Sequence, residues 1–542
     1  MKFIRIAAFV ISVLAVISLV SCGERDTEPQ DGTTVGDETT AAIVYESVKA
    51  SFESADSAEV TIEGEPGASV AGRAGTRSGG DGEWSYTEYT ATVGEDGVVS
   101  FTVTIPEGAK ELEVIIDRAT AKDSGTEIDA KIASVVPNEE KPLIPAPLKN
   151  MSSTLPSVGD VKVLVFFVEF PDKEFRPQAY NAERMETELF GEGKAEFPYE
   201  SVTAWFERAS YGNLHMTGDV YYYKCKNPLS YYEKGNYEEF AMEVLSGLDD
   251  EIDYSEYDSD GDRIIDNISF TVPLDGADQT RLDYWYGKTM TWYENPSYRI
   301  DRMGISQYII MDVMPYTSSM PYLKQTLIHE MGHCMGLPDY YKYDSADWEG
   351  LHGSAGLERM DDSLGDFCAF SKLMLGWFRE DEVQVYDGEG EKTFYLRSSS
   401  NEADCIILPI SNSLNGYKSE YFIIEYVTDE NNNYDLTNYA SSKRERSGIR
   451  VFHVQAETAV MSWGSTEFKY NNFSQYYKGD DKIRVLALVN DGKPFYRTGG
   501  KIEFGEPNFA GYDRKGTASV DTGYVIEIGE LNDGSYTVKV TK

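Results

Sequence analysis

Three regimes of hydrophobic patterning follow one another along the chain. Between residues 41 and 145 the runs YTEYTATV (86–93), VVSFTVTI (98–105) and KELEVIID (110–117) alternate or cluster β-formers between Gly and Asp turns, the pattern of half-buried strands. An N-terminal β-sandwich, serving as a spacer, an adhesion module or a propeptide-like shield, is expected there. The proline-rich KPLIPAPLKN (141–150) reads as the linker or cleavage region that closes it. From about residue 155 strand-like runs alternate with helical ones: VKVLVFFVEF, ESVTAWFERAS, YEEFAMEVLSGL, DNISFTV and GISQYIIMDV. That alternation predicts an α/β domain over 150–380. A further helix is predicted where Pro321 follows Thr317-Ser318-Ser319, Leu323, Leu327 and Met331 recur at four-residue steps, and Gly336 and Pro338 end the run. Beyond 381, runs such as YFIIEYV, IRVFHV, IRVLALV and YVIEIGEL separated by Asn, Gly and Asp turns predict a β-rich domain to residue 542.

Composition agrees with a large folded body. Of 542 residues, 41% are hydrophobic and 13% aromatic, enough for about three domains. The net charge of −43, from 49 basic and 92 acidic residues, argues against nucleic acid and anionic membrane surfaces as partners. The first residues change the expected location. Lys2 and Arg5 precede an apolar run from Ile6 to Val20, and Leu19-Val20-Ser21-Cys22 resembles a bacterial lipobox. Residues 1–22 therefore read as a lipoprotein signal peptide with lipidation at Cys22, and 23–40 as a flexible tether. An exported lipoprotein at the cell surface or outer membrane is expected, monomeric and touching the membrane only through that anchor. No later run reaches the roughly eighteen apolar residues of a spanning helix. Cys225, Cys334, Cys368 and Cys405 would allow up to two disulfides in an exported protein, with the pairing open.

The candidate chemistry lies on the predicted helix, in HEMGHCMGLPD (329–339). His329 and His333, four residues apart, share one helical face and can present two imidazole nitrogens to one Zn²⁺. Glu330 between them is a carboxylate placed to take a proton from water at the metal's remaining position. With five histidines in the chain, such a triplet arises by chance in roughly half a percent of comparable sequences. A catalytic zinc ordinarily has three protein ligands. Asp339, just beyond the Gly336 break, is the first candidate for the third, and Glu358 the alternative. His215, His352 and His453 are scattered singly and read as structural or surface residues, and Cys334 as a small buried hydrophobe.

HEMGHCMGLPDYY resembles the motif of the immune inhibitor A-type metallopeptidases, H-E-x-G-H-x-x-G-L-P-D followed by an aromatic. VKVLVFFVEFPDKEF (161–175), VTAWFERASYGNLHMTGDVYYY (202–223), FCAFSKLMLGW (367–377) and SGIRVFHV (447–454) resemble further family segments in the same order. The resemblance spans roughly residues 155 to 457. It implies a secreted zinc endopeptidase with a metzincin-like catalytic domain that hydrolyses protein or peptide substrates. It also makes Met360 a candidate for the methionine placed beneath zinc in related peptidases. The chain departs from the usual D-L-Y-D continuation, carrying Asp339-Tyr340-Tyr341-Lys342 with the next acid at Asp344.

A second constellation lies upstream in DSDGDRIID (258–266), where Asp258, Asp260, Asp262 and Asp266 occupy positions one, three, five and nine of a loop that begins like an EF-hand. Ser269 stands where such a loop carries its bidentate glutamate. The same residues would suit a solvated acidic turn; the family resemblance favours a structural Ca²⁺ site. The competing function is a surface adhesin or glycan-binding lipoprotein with a secondary or inactive peptidase fold. A zinc hydrolase acting on other carbonyl substrates is a third.

Overall fold

A computed structural model describes residues 45–542 except 55–56, 78–83, 107–108, 110, 123–126, 138–153, 178–179, 193–196, 233–235, 275–284, 286, 314–319, 342–352, 355, 363–364, 387–389, 411–419, 436–446, 461–465, 473–482, 491–492 and 514–515. The expected signal peptide, Cys22, the tether, the linker at 141–150 and His352 lie outside the described residues. Strand outweighs helix, 42% to 18%, so the molecule is a multidomain, mostly β protein with some helices. No helix among the described residues is long and apolar enough to cross a membrane.

The first seven strands are β1 (Tyr45–Ser54), β2 (Ser57–Gly64), β3 (Ser69–Arg77), β4 (Ser85–Thr92), β5 (Val98–Thr104), β6 (Glu111–Thr120) and β7 (Glu127–Pro137). They form a three-stranded sheet, β1-β2-β5, and a four-stranded sheet, β4-β3-β6-β7. Alternate residues of β6 are buried, as the period of two requires. Leu112, Val114 and Ile116 thereby meet Val60, Ile62 and Val70 in one core shared by both sheets.

The next five strands, β8 (Gly159–Glu169), β9 (Leu214–Lys224), β10 (Ile268–Pro273), β11 (Lys288–Thr291) and β12 (Gln307–Val313), make one sheet in the order β11-β12-β10-β8-β9. Neighbours among β9, β8, β10 and β12 run parallel, and β11 alone is antiparallel. Parallel strands covered on both faces read as continuous apolar runs, and β10 and β12 are buried at every position. The pleat sorts β8 between two cores. Val161, Val163, Val165 and Phe167 face the helices Ala182–Phe190, Val202–Ala209 and Met320–Cys334. Leu164, Phe166, Val168 and Phe170 face the helix Tyr237–Gly247. Two of these helices start at side-chain caps, Asn181 accepting from the Arg184 N–H and Ser201 from the Ala204 N–H.

A hydrophobic core is shared across residue 381, where the C-terminal β-rich domain is expected to begin. A five-stranded sheet built from 383–385, 405–409, 420–427, 448–455 and 486–488 sends Ile407, Ile423 and Phe452 into the core that holds the helix Met320–Cys334. Its other face sends Ile406, Ile424 and Val451 into a separate core. That core is closed by an antiparallel sheet of 391–397, 535–541, 525–532 and 501–502. Strands 420–427 and 448–455 are buried almost throughout, so each needs cover on both faces, and the zinc-motif helix and its neighbours supply one of them.

Candidate metal centre

The helix Met320–Cys334 ends in a turn that shapes the site. Gly336 adopts φ +99°, a conformation costly for a residue with a Cβ. The Gly336 N–H donates to His333 O at 2.8 Å and the Leu337 N–H to Gly332 O at 3.0 Å, a Schellman closure. The helix's last carbonyl, Cys334 O, accepts from the Thr154 and Leu155 N–H groups at 3.0 and 3.1 Å. With the chain reversed in this way, Asp339 Oδ1 lies 3.2 Å from both His329 Nε2 and His333 Nε2. One ligand atom from each of the three residues lies within 4.8 Å of the other two. His329, Glu330 and Asp339 are buried, while the His333 side chain is 20% exposed and gives the cluster its opening.

The second nitrogen of each ring is already engaged. His329 Nδ1 donates to Arg359 O and His333 Nδ1 to Leu337 O, each at 2.8 Å. This fixes the ring orientations and leaves both Nε2 atoms facing the carboxylate, the arrangement by which proteins hold imidazole ligands. Burial would lower the His333 pKa, but the Asp339 carboxylate outweighs it and raises it to about 9. Burial would raise the Asp339 pKa, but the two imidazoles hold it well below the usual carboxylate range. Without a metal the Asp339 carboxylate thus favours the protonated form of His333 beside it. Two imidazoles and a carboxylate converging in a buried pocket fit a divalent metal ion.

Glu358, the alternative third ligand, sits elsewhere. It is fully buried, accepts from Ser371 Oγ at 2.8 Å, from the Cys368 N–H at 3.2 Å and from the Met360 N–H, and burial raises its pKa to about 7. It braces the turn whose Arg359 carbonyl orients His329, so it reaches the metal group only through that carbonyl. Met360 is buried on the same turn, and its Sδ lies 2.6 Å from where a Cβ on Gly332 would stand. Gly332→Ala should therefore overpack this contact and lower stability by about 1–3 kcal/mol, read as a drop in melting temperature. An unchanged melting temperature would show that Met360 can move aside.

Residues that pattern reading did not single out come from β11. Thr289 Oγ1 lies 3.0 Å from Glu330 Oε2 and 3.1 Å from Glu330 O. Thr289 carries no motif, and the antiparallel pairing of its four-residue strand is invisible in spacing. Tyr341 stacks near His329 at a centroid distance of 6.5 Å. Cys334 is buried, a thiol accepting from Asn267 Nδ2 at 3.3 Å, with its pKa pushed up by burial to about 12. All four described cysteines are free thiols, so none of the pairings the count allowed is formed.

The acidic loop is brought together in part. Asp258, Asp260 and Asp262 offer carboxylate oxygens within 4.8 Å of one another. Gly261 at φ +77° and Arg263 at φ +69° fold it tightly. The Arg263 N–H donates to Asp258 Oδ2 at 3.0 Å and the Ile264 N–H to Asp262 Oδ1 at 2.7 Å. Asp266, expected with them, lies buried beneath the loop, its Oδ2 taken by the Ser259 N–H at 2.9 Å and its pKa raised by burial to about 7. Asp258 Oδ1 and Asp266 Oδ1 are buried without a hydrogen-bond partner among the described residues, which is costly unless a cation is present. His215 is exposed beside Glu207, and His453 is buried against Glu420, each at 2.7 Å; neither joins a possible metal cluster among the described residues.

No protein-family model matches the chain, and no curated protein matches it. Among solved structures, a polysaccharide deacetylase from Bacillus cereus is 12% identical and aligns over 52% of this chain and 100% of its own, with a TM-score of 0.13. A PhoD structure is 9% identical over 80% of this chain and 92% of its own, also with a TM-score of 0.13. At that score neither carries fold or function to this chain.

Proposed function

We propose that this chain is a zinc-dependent endopeptidase of the immune inhibitor A type, with a metzincin-like catalytic core, working outside the cell from a lipid anchor at Cys22. The observation that carries the reading is the convergence of His329 Nε2, His333 Nε2 and the Asp339 carboxylate, with both Nδ1 atoms pinned by main-chain carbonyls. A set of two nitrogens and one oxygen suits Zn²⁺ with one position left open. Bound there, zinc supplies Lewis acidity toward a substrate carbonyl and toward water.

The protein's own part falls to Glu330, which takes a proton from the attacking water on a carboxylate oxygen and returns it to the nitrogen of the leaving amine. Asp339 and the two histidines hold the metal, and Arg359 O and Leu337 O keep the histidine rings aimed. An extended peptide is the favoured substrate because β11, whose Thr289 touches Glu330, is an edge strand of its sheet among the described residues. Edge strands offer main-chain groups to added strands. The acidic loop is assigned to structural Ca²⁺, whose charge would satisfy the buried oxygens of Asp258 and Asp266.

The test is metal analysis combined with digestion of a proteome-derived peptide library. Purified protein should hold zinc and calcium and cleave internal peptide bonds, and a chelator should remove both metals and the cleavage. Zinc should restore cleavage; calcium alone should restore only the melting temperature. Zinc-loaded protein that turns over esters or acetylated sugars but no peptide would overturn the peptidase reading. Bound glycan without turnover would favour the adhesin.

A further inference from the structure

We infer that Thr289 is a positioning residue for Glu330, holding the base in one rotamer from the edge strand; this rests on the base role proposed above. A threonine hydroxyl has a single proton to donate. Here it stands 3.0 Å from Glu330 Oε2 and 3.1 Å from Glu330 O, so either bond ties the glutamate to β11. The final torsion of a glutamate is broad, and burial by itself does not choose a carboxylate orientation. With Oε2 engaged by the hydroxyl, Oε1 is the atom left to take the proton.

Several independent features hold the hydroxyl in place. Strand alternation turns Lys288 over the Tyr237 ring at 5.0 Å and Met290 onto the core beyond, which commits Thr289 to the opposite face, toward the helix. Gly287 lets the strand come this close: a Cβ there would meet Thr326 Cγ2 at 2.3 Å. The helix that carries Glu330 is itself tied to the sheet at the buried Cys334 thiol. Cys334 in turn accepts from Asn267 Nδ2 at 3.3 Å, and Asn267 Oδ1 accepts from Ser269 Oγ at 2.9 Å. Buried polar contacts thus tie the end of the helix that carries Glu330 to β10.

Thr289→Val keeps the β-branched shape and removes the donor, and Thr289→Ser keeps the donor. In zinc-loaded protein the Val variant should lose about 10- to 100-fold in kcat with KM little changed, and the Ser variant should recover most of the rate. Affinity for a peptide hydroxamate, whose acidic proton Glu330 would take, should fall about tenfold in the Val variant by calorimetry. The same change in a Glu330→Gln background should add little further loss. Wild-type kcat and hydroxamate affinity in Thr289→Val would overturn the assignment. So would parallel losses of melting temperature and bound zinc in both variants, which would mark a purely structural contact. If the wild type cleaves no peptide, the peptidase reading falls, and the hydroxamate ratio still decides the role of Thr289.

Discussion

Glu330→Gln should lower kcat for peptide hydrolysis by about 10²- to 10⁴-fold, the range general acid–base catalysis contributes. Zinc per chain, melting temperature and KM should stay close to wild type. The side chain is buried, stands next to one imidazole ligand and contacts Thr289. Glutamine keeps that volume, and its amide oxygen can still accept the Thr289 hydroxyl, so the packing has no reason to change. What it cannot do is accept a proton from water at neutral pH. The loss should therefore fall on the step where the proton moves, in kcat rather than in binding. Steady-state kinetics beside metal analysis read both halves. A variant that retains zinc and cleaves peptides at the wild-type rate would remove Glu330 from the mechanism.

Asp339→Asn should weaken zinc binding by at least about 100-fold, beyond what loss of a partner behind a ligand costs, and cleavage should fall with the metal. Asparagine fills the space but brings no charge to two imidazoles that otherwise share one carboxylate at 3.2 Å. The metal-free protein offers a second readout. There the buried pair between Asp339 and protonated His333 should be worth about 3 kcal/mol, the lower end of what breaking such a pair costs. The histidine pKa is raised from 6.5 to about 9 in the folded state, so its contribution is complete below about pH 6.5 and lost as pH rises through 9. The carboxylate pKa is lowered from 3.8, so its contribution is complete above about pH 4 and fades as pH falls further. The melting-temperature gap between metal-free wild type and Asp339→Asn should thus be widest between about pH 4 and 6.5 and close above 9. A gap independent of pH would mean that Asp339 does not hold His333 protonated. Zinc must displace that proton, so its affinity should climb with pH up to about 9.

The elements that periodicity could reach were those whose pattern is local. The zinc-motif helix begins at Met320, next to the predicted Pro321 start, and closes at Gly336 because that residue alone in the run adopts a positive φ without penalty. Three strands of the first two sheets, β4, β5 and β6, were visible in their runs of β-formers, and the buried parallel strands β8 and β12 in their apolar runs. Spacing favoured Asp339 over Glu358 but did not exclude the second. Both are acids downstream of His333, and only the turn at Gly336 and the burial of Glu358 under Ser371 and two main-chain N–H groups separate them. What covers the strands beyond 381 was closed to spacing for a related reason: a strand apolar on both faces says that it is covered, not by what. Asp266 shares the rhythm of its loop, and only the fold shows its Oδ2 held by the Ser259 N–H while its Oδ1 has no partner among the described residues.

By itself the amino-acid sequence determined which residues could hold a metal and which could move a proton, because donor type and helical period are properties of a few neighbouring positions. It also settled where helices and strands begin and end, wherever caps, glycines and alternation act over one or two turns. Which acid faces the two imidazoles, which carbonyls aim them, and which hydroxyl of an edge strand reaches the glutamate between them were decided only when distant segments packed together. Two of those contacts join residues thirty or more positions apart, His329 with Arg359 and Glu330 with Thr289, whereas Asp339 and Leu337 reach the rings through the turn at Gly336. Pairing at that range is chosen by how whole faces bury against one another, and no local pattern records it.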